Sequence, residues 1–213
     1  MARGPAADSA ETFDKIVSTA KRILTESGAG RLNLRQVASE SGLSLGTVQY
    51  YFSSKDKLLA SCLVDHEALI AGYIDGAQQA LSTGTPLEDV LVTAVRAIFR
   101  HGREQPEFYR LRLFRVLDAK HDPDMAEERF LLRELEMTAG MFVTHLGIDR
   151  VQARLLAQTI AMSVVRYIAF DQRDLCRTAG VAEPIAALAA VEDHLAWLIR
   201  ALLQSAREQR SGR

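Results

Sequence analysis

The sequence predicts an all-α chain in which a small three-helix head is followed by a larger helical bundle, and three observations lead there. No stretch alternates apolar and polar residues as a half-buried strand does. Pro86, Pro106, Pro123 and Pro184 stand where a helix can begin, since a missing N–H is not needed at the first helical position. The stretch from Asn33 to Leu58 spells two short helices joined by a glycine turn and followed by a capped third, the pattern of a helix-turn-helix. Helices are expected near residues 10–28, 33–40, 45–51, 54–81, 86–103, 106–119, 123–146, 149–178 and 184–208. They divide the chain into a flexible tail at 1–9, a helix-turn-helix head at 10–58, a body at 59–208 and a second tail at 209–213.

In the head, Asn33 caps a helix whose apolar face is Leu34, Val37 and Ala38. Gly42 ends it, because the left-handed backbone needed where the next helix departs steeply costs glycine nothing. Ser44 caps the second helix. There Leu45, Val48 and Phe52 face inward, which leaves Thr47, Gln49, Tyr50 and Tyr51 for the other faces. A polar and aromatic outward set is what a groove-reading helix requires. The third helix starts behind Ser53 or Ser54 and brings Lys55 beside unbonded backbone N–H groups, a place for a DNA phosphate if the lysine is not simply solvated. Thr47 can touch a thymine methyl or a base edge. Gln49 has the paired donor and acceptor that match adenine N6 and N7, or else meets phosphate or water. Tyr50 can donate its hydroxyl to the DNA backbone. Arg35, with Asn33 and Ser44 at the two caps and Tyr51 on the outward side, completes the DNA-binding candidates.

Residues 11–58 resemble the DNA-binding domain of the TetR family of one-component regulators. That family's pattern, S-x-G-T-L-Y-x-H-F-x-S-K-x-x-L, stands here as Ser44, Gly46, Thr47, Val48, Gln49, Tyr50, Tyr51, Phe52, Ser54, Lys55 and Leu58. The resemblance covers about a quarter of the chain. Gln49 stands where the family often has Tyr and Tyr51 where it often has His, so base preference does not transfer from relatives. The resemblance implies a body that serves as a ligand-binding and dimerisation domain. It implies a homodimer, most often a repressor, that presents two heads to a near-palindromic operator in double-stranded DNA. A small-molecule effector would swing the helix at 54–81 and change the separation of the heads. A transcriptional activator, or a constitutive DNA-binding protein without an effector, is the alternative.

In the body, Thr85-Pro86-Leu87-Glu88 reads as a capping box with proline at N1. Pro106, Asp122-Pro123, Asp149 with Gln152 three residues on, and Pro184 mark the later starts. Phe99, Phe108, Tyr109, Leu113, Phe114, Met137, Met141, Phe142, Tyr167 and Phe170 supply bulky apolar surface from several helices, which makes either an ordinary core or the lining of a small-molecule cavity. In the second reading Phe99, Tyr109, Phe114, Met137, Met141, Tyr167 and Phe170 line a site for a hydrophobic or aromatic effector that Arg166, Tyr167 or His145 orients. Otherwise Arg166 must find a carboxylate or solvent, and His145 is a hydrogen-bonded structural residue. From Leu155 to Phe170 the chain is apolar on more than one face, so it must be covered on more than one side. In the last helix Ile185, Leu188, Leu195, Ile199 and Leu202 form one stripe, and Ala186, Ala187, Ala189 and Ala190 keep its first half slim. A well-packed intrachain core explains this equally well on pattern alone. In the TetR family the last two long helices pair with their copies, and on that ground the resemblance assigns Leu155, Met162, Leu188, Leu195, Ile199 and Leu202 to a dimer interface.

Composition fits this picture. The formal charge is −1, but residues 1–60 hold 8 Lys or Arg against 6 Asp or Glu while the remainder holds 18 against 21, a slightly basic head on a mildly acidic body. Two cysteines, Cys62 and Cys176, without a CxxC motif or a secretory apolar segment, point to a reducing cytoplasm. Arg166 and Glu192-Asp193-His194 interrupt the two apolar runs closest to the ~20 residues a spanning helix needs, so no membrane partner is expected. Cys62 and His66 lie four apart on one helix, but no second pair at zinc-ligand spacing accompanies them. Asp118, His121, Asp122 and Asp124 sit at a helix junction where Asp serves as a cap. No G-x-S-x-G, glycine-rich phosphate loop or H-E-x-x-H is present. Neither metal, cofactor nor catalytic residue is expected. An enzyme, or a helical adaptor whose head binds protein, is the competing class.

Overall fold

The computed structural model of the chain describes residues 5–117 and 126–211. Among the described residues there are ten α-helices and no strand: α1 (Pro5–Ser27), α2 (Leu34–Ser41), α3 (Leu45–Tyr51), α4 (Lys55–Ser82), α5 (Leu87–Glu104), α6 (Pro106–Leu117), α7 (Ala126–Leu146), α8 (Arg150–Ala169), α9 (Gln172–Ala179) and α10 (Pro184–Ser211). The local signals for starts and stops are in place. Asn33 Oδ1 accepts from the Gln36 N–H at 2.9 Å, Ser44 Oγ from Thr47 N–H at 3.0 Å and Asp149 Oδ1 from Gln152 N–H at 2.9 Å. Ser54, not Ser53, caps α4, accepting from the Lys57 N–H at 3.2 Å. Gly42 closes α2 with φ at 68°, the left-handed region that a side chain resists.

Four boundaries differ from the sequence reading. Helix α1 starts at Pro5, so residues 5–9 continue the helix where a tail is expected, with proline at the first turn ahead of two alanines that favour helix. At the other end α10 runs to Ser211, taking in residues 209–211. The capping box before α5 does not form: Pro86 is itself the N-cap residue and no side chain bonds the first turn. The helix expected over 149–178 is two helices, α8 and α9, bent by 119°. Asp171 Oδ1 accepts from the Asp174 N–H at 2.7 Å and starts α9. The carbonyls freed at the end of α8 are taken by arginines from elsewhere: Arg103 donates to Ile168 at 3.0 Å and to Phe170 at 2.5 Å, and Arg110 donates to Ala169 at 2.8 Å.

The apolar interior is organised around the head and the body separately. Ile16, Ile23 and Leu24 of α1, Val37 of α2, Val48 of α3 and Leu58, Leu59 and Leu63 of α4 form the head core, together with Phe108 and Leu111 of α6. The body core gathers Phe99 of α5, Tyr109 of α6, Phe142 of α7, Ile160 and Ile168 of α8, and Leu195 and Ile199 of α10, among others. The head core therefore does not stop at residue 58: it reaches up α4 and borrows from α6. Helix α10 is strapped onto α5 by Arg96–Asp193 at 3.0 Å, Arg100–Glu192 at 2.6 Å and Arg200–Glu88 at 3.2 Å. No single helix among the described residues is long and apolar enough to cross a membrane.

Candidate DNA-binding and effector sites

Helix α3 owes its pose to residues that never reach the surface. Val48 is fully buried and Phe52 nearly so. Around them, α1 is fixed to its neighbours by Arg22–Glu40 at 2.7 Å and Lys21–Asp65 at 2.6 Å. This leaves Gln49 exposed and Tyr50 84% exposed. Thr47 is half-buried, its hydroxyl 2.8 Å from Ser44 Oγ. Between α2 and α3 an open cleft of about 500 Å³ is lined by Asn33, Leu34, Arg35, Leu45 and Gln49. The structure thus brings Asn33, Arg35 and Gln49 to one concavity. Lys55 lies in the first turn of α4, half-exposed. Tyr51 does something the sequence reading did not assign to it. Its hydroxyl donates to the Ser9 carbonyl at 3.2 Å and its ring meets Phe13 edge-on at 6.3 Å, so it ties α3 to the early turns of α1.

The effector candidates do not all come together. Phe99 and Tyr109 are buried in the body core, with Tyr167 and Phe170 packed against it. Met141 belongs to a separate small cluster with Ala77 and Val90, and Met137 is half-buried. The side chain of Phe114 lies outside the described residues. His145 and Arg166 are exposed, apart from the buried Phe99 and Tyr109. Arg166 reaches solvent from the outer face of α8, with its guanidinium 5.0 Å above the Phe170 ring.

Three polar residues missing from the sequence reading of the effector site stand in the interior instead. His66 of α4 is buried, stacked on Phe108 at 5.8 Å and edge-on to Tyr109 at 4.5 Å. Burial, and then the positive charges of Arg112 and His101, push its imidazole down to about 3, so the ring is neutral. Arg112 of α6 pairs with Glu134 of α7 at 2.9 Å, both well covered. Burial raises the Glu134 carboxyl against the opposing pull of Arg112. It also raises the Tyr109 hydroxyl. His66 Nε2, Tyr109 Oη and Glu134 Oε1 are buried with no hydrogen-bond partner. In the sequence, His66 stands out only by its spacing from Cys62 and Tyr109 only as a bulky aromatic, while Arg112 and Glu134 carry no local signal. Cys62 itself sits in the head core, where burial pushes its thiol up to about 12, a poor nucleophile and a poor metal ligand. Among the described residues no three His, Cys, Asp or Glu side chains are grouped to hold a metal ion. Asp118, His121, Asp122 and Asp124 lie outside them.

The dimer candidates divide as well. Leu195 and Ile199 are 2% and 1% exposed, deep in the chain's own core, which corrects their assignment to an interface. The ion pairs from α5 to Glu192 and Asp193 hold α10 in a rotation that turns this part of the stripe inward. Leu188 and Leu202 are half-buried. The apolar residues left outside are Val151, Leu155 and Met162 on α8 and Ile185 and Trp197 on α10. Trp197 stacks on His194 at 5.7 Å, and His194 meets Tyr167 edge-on at 5.9 Å.

Comparison with known proteins agrees with this architecture. Residues 16–62 match the family described as bacterial regulatory proteins, tetR family. An HTH-type transcriptional regulator from the dhlA 5′ region of Xanthobacter autotrophicus is 32% identical over 98 residues, 46% of this chain and 48% of that protein. The match thus spans about half the length of that curated relative. Among solved structures, a TetR-family transcriptional regulator from Mesorhizobium loti is similar over 92% of this chain and 97% of its own, with a TM-score of 0.64 at 20% identity. The multidrug binding protein EbrR complexed with malachite green is similar over 89% of this chain and 96% of its own, with a TM-score of 0.61 at 17% identity. At such identity these two structures speak to the fold alone, and they extend the likeness from the head to the body.

Proposed function

The chain belongs through its N-terminal domain to the tetR family of bacterial transcriptional regulators, and on that premise we propose that it works as a homodimeric repressor released from a near-palindromic operator by a small hydrophobic or aromatic effector. The observation that carries the reading is the presentation of α3: Val48 and Phe52 anchor it from behind, while Gln49 and the 84% exposed Tyr50 face out beside the cleft that holds Asn33 and Arg35. One such head makes few contacts. Two heads held by a dimer double them and match a palindrome. Support for pairing comes from the outer faces of α8 and α10, where Leu155, Met162, Ile185 and Trp197 expose apolar surface that water solvates poorly. Support for an effector comes from the fold's likeness to EbrR, a multidrug binding protein with malachite green bound. In this reading the protein acts in the cytoplasm on DNA and has no catalytic step.

Electrophoretic mobility shift with random duplex DNA across a salt series tests the DNA reading first. Retention should weaken linearly in log–log form as salt rises, because each phosphate contact releases counterions. Selection from a randomised duplex library should then return two half-sites related by a dyad. Retention indifferent to salt, or no retention at low salt, would exclude a DNA-binding regulator.

A further inference from the structure

We propose that the effector site in the body is built to hold a hydroxyl group, so that the ligand is a small, uncharged, largely apolar alcohol or phenol whose oxygen is taken by His66, Tyr109 and Glu134. This rests on the effector reading above. The three side chains come from three helices, α4, α6 and α7, and each leaves one buried polar atom unbonded: His66 Nε2, Tyr109 Oη and Glu134 Oε1. They share one neighbourhood. The His66 and Tyr109 rings are 4.5 Å apart edge-on, and Glu134 is held at 2.9 Å by Arg112, which stands one helical turn beyond Tyr109 on α6. Orphaned buried groups are rare, because each forfeits its hydrogen bonds to water on folding. Three together mark a place prepared for something polar.

The kinds of atom select the occupant. A carboxylate oxygen only accepts, whereas a phenol hydroxyl and a neutral imidazole can each donate. A ligand hydroxyl complements this set: its hydrogen goes to Glu134 and its lone pairs accept from Tyr109 and His66. A ligand carboxylate would set a second anion against Glu134. A ligand ammonium would stand close to the Arg112 guanidinium, which already holds Glu134 at 2.9 Å, and would meet like-charge repulsion there. The rest of the ligand is apolar because the surroundings are, with the aromatic rings of Phe108 and Tyr109 both packed against His66. The site also has a mechanical consequence. Phe108, stacked on His66, lies in the head core, so a molecule seated against His66 and Tyr109 presses on the same turn of α6 that supports the head.

Isothermal titration calorimetry on the full-length protein decides this with four probes of one size: 4-propylphenol, propylbenzene, 4-propylbenzoate and 4-propylbenzylamine. The phenol should bind at least tenfold more tightly than the other three. Tyr109→Phe, which keeps the ring and removes only the hydroxyl, should cost the phenol about tenfold and leave propylbenzene unchanged. Glu134→Gln should do the same, and if it does not fold, Tyr109→Phe decides alone. Equal binding of phenol and propylbenzene, preference for the benzoate or the amine, no binding of the phenol, or a phenol preference untouched by Tyr109→Phe would each overturn the proposal. The broader effector reading is judged separately, by whether any member of a diverse compound set releases the protein from DNA. Release by compounds without a hydroxyl would retain that reading while discarding this one.

Discussion

Gly102 of α5 and Ile168 of α8 meet so closely that a Cβ placed on Gly102 would lie 2.4 Å from Ile168 Cδ1. The same atom would stand 2.9 Å from the Tyr109 ring of α6, and the next residue, Arg103, holds the last carbonyls of α8. Three helices of the body therefore cross at a point with room for a hydrogen and nothing larger.

Gly102→Ala should destabilise the protein by about 1–3 kcal/mol, despite the better helix propensity of alanine, because the core must move to admit a methyl group. Ile168→Val removes Cδ1, the nearest obstacle, and should recover part of that loss when the two changes are combined. Urea denaturation of both single variants and the double variant measures the coupling. Strict additivity would show that the contact is relieved elsewhere.

The neutral, buried His66 makes stability depend on pH. Its folded value lies near 3 against an ordinary 6.5, so between those limits the unfolded chain takes up a proton that the folded chain refuses. Stability contributed by the neutral ring is complete above about pH 6.5 and drains as pH falls toward 3, with a slope of up to roughly 1.4 kcal/mol per pH unit. His66→Phe should flatten this part of the profile whatever it does to absolute stability. Equal slopes for the two proteins in chemical denaturation at pH 6.5, 5.5 and 4.5 would mean that His66 takes up a proton alike in both states.

Substitutions on α8 and α10 should separate core from interface. Leu195→Glu buries a charge inside the chain's own core and should prevent folding, whereas Leu155→Glu combined with Trp197→Glu alters residues that are 64% and 61% exposed. The double variant should stay helical but sediment as a monomer at micromolar concentration, and should lose DNA binding with its heads intact. A folded double variant that remains dimeric would move the interface off α8 and α10.

On the DNA side, Lys55→Ala should weaken binding to every sequence and lower the salt slope by about one unit per head. Gln49→Ala should instead relax preference at one position of each half-site, at a cost of ~1–3 kcal/mol, if the amide reads a base. Binding selection from a randomised library distinguishes the two patterns. Uniform weakening by Gln49→Ala would assign the side chain to phosphate or water.

What could be read from the sequence is what depends on neighbours along the chain. Asn33, Ser44, Gly42 and Asp149 announce their helix ends because an unbonded backbone N–H or carbonyl is served by a residue two or three positions away. The inward Val48 and the outward Gln49 of α3 follow from spacing alone. The break at Phe170 and Asp171 was hidden, although Asp171 is a good cap, because the donors that make it affordable are Arg103 and Arg110, some sixty positions earlier. Leu195 and Ile199 show a different limit: periodicity says that a helix face is covered but not by which partner. Glu134 carries no local mark at all, since only the fold brings it to Arg112.

Successive residues of α6 face different interiors, Phe108 toward the head and Tyr109 toward the body. A further tie, Thr25 Oγ1 donating to Glu107 Oε1 at 3.0 Å, joins α1 to the same turn. The head is consequently not an exchangeable cassette. Grafting residues 10–58 onto another regulator's body would set the head core against a foreign α6, and the recipient's own α6 would have to supply a side chain shaped like Phe108. A working hybrid should therefore need matched residues at positions 107, 108 and 111 as well as the reading helix. Lineages that trade operator specificity while keeping such a body would do so more readily by changing exposed positions of α3 than by swapping the head as a block.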